Sequence, residues 1–212
     1  MKELLFNDNY KKIKEETDLF LKYLHAAETT NIDKYPETYE KLVSDCSVRA
    51  EKIACSVRHV IYNTTTIKKS EHMSKAAGVQ GIQITSNGKW MSVVLPILMQ
   101  RKKHKNSEFL SDPLFYALSE YAMTNPVDIL SQCVICFRHI YDRSLPERRI
   151  RDYDNIEEKQ VLDVIALFTL CDDSGRFCDV FNTTAKGDTD CTEIYIMPPE
   201  NFLPWLKEYS IF

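Results

Sequence analysis

No run of about 18 consecutive apolar residues occurs in the chain, so no segment is long enough to cross a bilayer as a helix. The first residues, from Met1 to Asp8, lack the apolar stretch and small-residue cleavage site of a secretory signal, and none is expected. Internal repeats and low-complexity tracts are also missing. Seven cysteines (Cys46, Cys55, Cys133, Cys136, Cys171, Cys178 and Cys191) are too many to ignore but odd in number. A chain of 212 residues does not need disulfide staples, so a reducing cytoplasm is the natural setting. Cys133 and Cys136 form a CxxC pair without a second ligand pair at zinc-site spacing. They lie in an apolar run, and residues three apart on a strand face opposite sides, so buried thiols are the plainer reading. Excess positive charge is absent too. The net charge of −4 speaks against a protein that coats nucleic acid, though not against one with a local basic patch.

The hydrophobic fraction of 44% suffices for one core, and one domain with an added module is expected. The module is a helical hairpin over residues 1–63. Its first helix runs from about Tyr10 to His25, with Ile13, Thr17, Phe20 and Leu24 on one stripe. Its second starts near Pro36 and follows Tyr39, Leu42, Val43, Cys46, Ala50, Ile53, Val57, Val60 and Ile61 at spacings of three and four. The short linker Thr29 to Tyr35 makes the pair antiparallel. Packing or dimerisation is the role it suggests.

Residues 64–212 alternate strand and helix patterns. Two β-rich segments, Val79 to Thr85 and Lys89 to Met99, flank Asn87-Gly88, which suits a type I′ hairpin turn. Arg101, Lys102, Lys103, His104 and Lys105 then form a basic loop, either solvated or in contact with phosphate. Asp112-Pro113 predicts a helix start, and Asn125-Pro126 its end near Met123. A strand is expected from Ile129 to Tyr141 and a helix from Ile156 to Phe168. Two short strands follow, Phe177 to Thr183 and Thr192 to Met197. A last helix carries Phe202, Trp205 and Leu206.

The candidate chemistry lies in the final third. Asp152 and Asp154 are two apart and share one face if their segment is extended. Asp173 follows one helix later, where a return turn could bring it beside them. Three converging carboxylates repel unless a cation neutralises them, and their hard oxygens suit Mg2+ or Mn2+. The same residues also suit turns and a helix N-cap. Arg148, Arg149 and Arg151 precede the acids, and Arg138 and Arg143 lie on or after the preceding strand. Cations beside an acid cluster fit a phosphodiester substrate, and equally a salt-bridged surface.

Asp152-Tyr153-Asp154-Asn155, a helix with Lys159 and Asp163, then Asp172-Asp173-Ser174 and Lys186 together resemble the RusA family of Holliday-junction resolvases. The likeness covers roughly residues 79–198, with its specific motifs between 152 and 186. The chain is also similar to an uncharacterised group of proteins from Gram-positive bacteria and their mobile elements, phages included. The resemblance implies an α+β fold with a small mixed sheet, a homodimer, and magnesium-dependent cutting of branched DNA or structured RNA. It implies Asp152, Asp154 and Asp173 as metal ligands and Lys159 as the catalytic lysine, with Asn155 alongside. Arg101, Lys102, Lys103, Lys105, Arg148, Arg149, Arg151 and Lys186 are the expected nucleic-acid contacts. One departure stands out. The family's lysine lies four residues after the second acid, where this chain has Glu158; Lys159 is one later, about 100° further round a helix. A shifted helix start, with Lys159 sharing a face with Asn155, would restore its reach. Otherwise the chain is a degenerate nuclease that binds nucleic acid or a host-defence protein, for example as an anti-CRISPR inhibitor of Cas9 or its guide RNA.

Overall fold

The computed structural model describes residues 2–99 and 108–209. The basic run from Arg101 to Lys105 lies outside them. The chain divides into two compact units, residues 1–69 and 70–212.

The first unit is a pair of packed helices, α1 (Lys2–Thr29) and α2 (Pro36–Thr64). Pro36 opens α2, where its missing N–H costs nothing. Glu16 on α1 accepts from Arg49 on α2 at 2.8 Å and also pairs with Lys52. Lys52 first, then Arg49, hold the Glu16 carboxyl below its ordinary range. Few apolar side chains here are fully buried, chiefly Ala27, Cys46 and Val60, while Leu21, Leu24, Val43 and Val48 are exposed. The apolar stripes are real, but the pair covers them only in part.

The second unit is α+β. It begins with α3 (Lys69–Gln80), followed by β1 (Gln83–Ser86), β2 (Met91–Leu95), α4 (Glu108–Thr124) and β3 (Cys133–Asp142). Then come α5 (Lys159–Thr169), β4 (Cys178–Gly187), β5 (Cys191–Met197) and α6 (Phe202–Tyr209). The five strands form one mixed sheet in the order β1-β2-β5-β3-β4. β3 pairs parallel with β4 and antiparallel with β5. It is an interior strand buried on both faces, which explains its apolar run from Cys133 to Phe137. Ile135 and Phe137 face α4 and α5 together with Val93, Leu95, Ile194 and Ile196. Val134 and Cys136 face the other way, against Tyr195, Met197 and Trp205 of α6. Cys133 and Cys136 therefore sit in different cores, as their spacing requires.

Several local readings change. Val79 and Gln80 belong to α3, so the first strand begins at Gln83, and β3 begins at Cys133 rather than Ile129. Gly88 has φ of 81°, but Asn87 does not have positive φ, so the hairpin turn is not type I′. Instead, the Asn87 Oδ1 accepts from the Lys89 and Trp90 N–H groups, both at 3.0 Å. Pro113 lies inside α4 rather than at its start, where it removes a single helical bond near the N-terminal end. The helix before Asp173 starts at Lys159, not Ile156, because residues 153–155 form a separate 3-10 turn.

The link from β4 to β5 passes over the end of β3, since β3 lies between them. Three residues make that crossing. Gly187 accepts from the Arg143 N–H at 2.9 Å, and Asp190 Oδ1 accepts from the Asp142 N–H at 2.8 Å. A Cβ on Gly187 would come within 2.5 Å of Ile140 Cγ2, so the close approach itself demands glycine.

Candidate functional site

The acids, Lys159, Arg143, Arg148, Arg149 and Arg151 lie on the crossover from β3 through α5 to β4, and Arg138 lies on β3. The crossover starts with a 3-10 turn, Glu147–Arg149, and continues through a second, Tyr153–Asn155. Asp152 precedes that second turn, and its carbonyl accepts from the Asn155 N–H at 3.0 Å. Asp152 itself is extended, with φ −68° and ψ 138°, and leads into the 3-10 turn that already holds Asp154. Asp154 Oδ1 instead accepts from the Asn155 side chain at 3.1 Å.

Asp172 and Asp173 follow α5, and Asp172 Oδ1 accepts from the Ser174 N–H at 3.0 Å as a turn residue does. The Asp173 charge reaches Lys159: after Asp163, it helps hold that ammonium above its usual value. Among the described residues, however, no three His, Cys, Asp or Glu side chains gather into a group that could hold a metal ion. Asp152, Asp154 and Asp173 are therefore not gathered into such a group.

Lys159 is the first residue of α5, and its amine lies 2.9 and 3.1 Å from the two Asp163 oxygens. Asn155 is outside that helix, so the i,i+4 relation with Lys159 does not hold. The other cations are also engaged. Arg149 pairs with Asp190, Arg138 with Glu193 at 2.8 Å and Arg143 with Asp188 at 3.2 Å. Lys186 pairs with Glu147 and holds that carboxyl below its ordinary range. The Arg151 guanidinium donates to the Met99 carbonyl, and its backbone N–H donates to the Tyr141 hydroxyl at 3.1 Å. Arg148 is exposed.

The polar cluster that the residue pattern did not single out surrounds His139. This side chain is 1% exposed on β3. Its Nε2 lies 3.2 Å from Glu158 Oε1 and 3.3 Å from Asn182 Oδ1. Both neighbours accept, so Nε2 carries the proton. Asn182 Nδ2 donates to Glu158 Oε2 at 3.3 Å and closes the triangle. The Tyr153 ring lies 5.9 Å from the imidazole, and its hydroxyl is 2.9 Å from the Thr184 hydroxyl. His139 Nδ1 is buried without a hydrogen-bond partner among the described residues. Strand alternation carried the signal: His139 has the parity of inward-facing Ile135 and Phe137, and a buried imidazole needs a partner. A cleft of about 150 Å3 lined by Lys89, Trp90, Tyr121, Pro126, Thr169 and Pro198, among others, shares no residue with this cluster.

Among the described residues no helix is long and apolar enough to cross a membrane. No curated protein matches the chain. Two solved structures of the periplasmic domain of Helicobacter pylori MotB align at 12% identity, each with a TM-score of 0.34. They cover 61% and 60% of this chain and 86% and 88% of their own, a likeness too weak to establish a shared fold. A family of unknown function, DUF6100, matches residues 2–210, and the chain belongs to that family.

Proposed function

We propose that the chain is a RusA-like protein that binds nucleic acid without cutting it. One observation carries the reading. Glu158, at the position where the RusA pattern has its lysine, is tied to buried His139 and Asn182, while Lys159 is tied to Asp163. The cation that would stabilise a departing phosphate oxygen is thereby held by an acid of its own helix. The loosely set acids argue in the same direction.

Binding draws its support from the basic segments. Arg148 is exposed and Arg151 bonds to the Met99 carbonyl, and the sequence adds the run Arg101, Lys102, Lys103 and Lys105. Phosphates attract such cations regardless of base sequence. The exposed apolar positions of α1 and α2 favour self-association of the helical pair, since four helices bury such stripes better than two.

The test is to incubate the protein with branched DNA, linear duplex and structured RNA, in manganese and in chelator. Binding that persists in chelator, with no cleavage in manganese, is expected. Its affinity falls with salt, and replacing Arg101, Lys102, Lys103 and Lys105 by glutamine reduces the slope by about one unit for each phosphate no longer neutralised. Manganese-dependent cleavage that disappears in Asp154→Asn overturns the reading in favour of the endonuclease. Failure to bind any of the three refutes it in favour of a protein target.

A further inference from the structure

Cys133 and Cys178 are the first residues of β3 and β4, and they stand opposite each other in the parallel ladder. Neighbouring strands lie about 4.8 Å apart, inside the Cα range that a disulfide spans. Both side chains turn to the same buried face. The backbone closes tightly around them, with the Cys133 N–H donating to the Phe177 carbonyl at 2.9 Å and the Cys178 N–H to the Ser174 carbonyl at 3.0 Å. Both thiols are free. They sit at strand ends, where local opening costs less than in the sheet centre. β4 is also an edge strand, and the segment leading into it, Cys171 to Arg176, is exposed.

We propose that Cys133 and Cys178 form a dithiol oxidation site that closes to a cross-strand disulfide on exposure to a hydroperoxide. Cys178 is the thiol that is oxidised first. It accepts the Cys133 S–H, which holds it below its ordinary value, whereas Cys133, acting as the donor, is raised. The Cys178 sulfur takes the terminal oxygen of the hydroperoxide. The O–O bond breaks, and the peroxide is reduced to an alcohol or water while the thiol becomes a sulfenic acid. The Cys133 sulfur then attacks the Cys178 sulfur. The S–S bond forms, and the sulfenic oxygen leaves as water with the Cys133 proton. One peroxide and two thiols give one disulfide and, from hydrogen peroxide, two waters. Cys136 cannot substitute for Cys133, because it points into the other core. Cys171 is exposed, and its thiol turns to the Ser131 carbonyl at 3.7 Å, so it is the competing partner.

The site stands or falls separately from nucleic-acid binding. The test treats the whole chain with hydrogen peroxide, blocks remaining thiols and digests with trypsin without reduction. The Cys178 fragment, Phe177–Lys186, contains no other cysteine, and the Cys171 fragment is separate from it. The expected product links Phe177–Lys186 to Asn106–Arg138, survives in Cys136→Ser and disappears on reduction. Hydrogen exchange in β4 slows several-fold in the oxidised protein. A Cys171 link to either fragment in place of that product, or sulfenic or sulfinic acid on Cys171 with Cys133 and Cys178 still reduced, overturns the proposal.

Discussion

Replacing Glu158 by alanine tests whether the cluster around His139 is a structural centre or an incidental surface contact. His139 is 1% exposed and Glu158 only 16%, so water cannot readily replace the lost carboxylate at Nε2. A buried donor stripped of one acceptor costs about 1–3 kcal/mol. Asn182 Oδ1, at 3.3 Å, still accepts from Nε2 and keeps the loss near the middle of that range, about 2 kcal/mol. For a chain of this size that is a fall of about 4–8 °C in Tm. Glu158→Gln keeps an oxygen facing His139 but turns a donor towards the donating Asn182 amide, so about half the loss is expected. The assay is urea unfolding followed by tryptophan fluorescence. Both tryptophans, Trp90 and Trp205, pack in the second unit and leave the helical pair silent. A double-mutant cycle with His139→Phe isolates the pair, with an expected coupling of about 1 kcal/mol or more. A midpoint for Glu158→Ala equal to the parent, or a coupling near zero, would refute the reasoning: Glu158 would then be free to change.

Gly187→Ala drives a methyl against Ile140 and costs about 1–3 kcal/mol in the same unfolding assay; Ile140→Leu, which lacks the Cβ methyl, recovers part of it. Ile165→Ala, fully buried on the inner face of α5, costs about 2–5 kcal/mol, while Leu167→Ala, 71% exposed on the same helix, stays within about 0.5 kcal/mol. Equal losses from the two would mean that α5 is rotated from the orientation described. Burial pushes the Cys136 thiol up to about 12, so at pH 8 iodoacetamide in the folded protein labels exposed Cys55 and Cys171 and leaves Cys136 unmodified until denaturant is added.

Most of the fold could be read from local pattern. The stripe Val161 and Ile165 gave α5 its buried face, and Asn87-Gly88 marked a real hairpin. The apolar run from Cys133 to Phe137 marked the strand that is β3. The strand order was not legible in the same way. A three-residue link between two strands usually joins neighbours, yet β4 and β5 flank β3. What permits this is non-local: a glycine at the one point where a side chain would strike Ile140, and Asp190 binding the Asp142 N–H and Arg149 across the crossing. None of those contacts has a periodic signature.

The candidate acids could be read from the sequence, but their local backbone could not. Asp-x-Asp places two carboxylates together only on a backbone extended throughout; Asp152 is extended, but Asp154 lies in a 3-10 turn closed by the bond from the Asn155 N–H to the Asp152 carbonyl. The acids then behave as turn residues, as Asp172 does with Ser174. The choice of glutamate at position 158 has a cause that lies on another strand. His139 faces inward on β3, and an imidazole buried there requires an acceptor. The crossover supplies it from residue 158, immediately before α5, so a lysine at that position would bury a donor against a donor. The identity of residue 158 is therefore tied to His139 and Asn182 rather than to a substrate. Glu158→Lys alone would break this cluster. Only with a non-polar residue in place of His139 could Glu158→Lys point its amine outward to solvent without leaving a buried group unpaired.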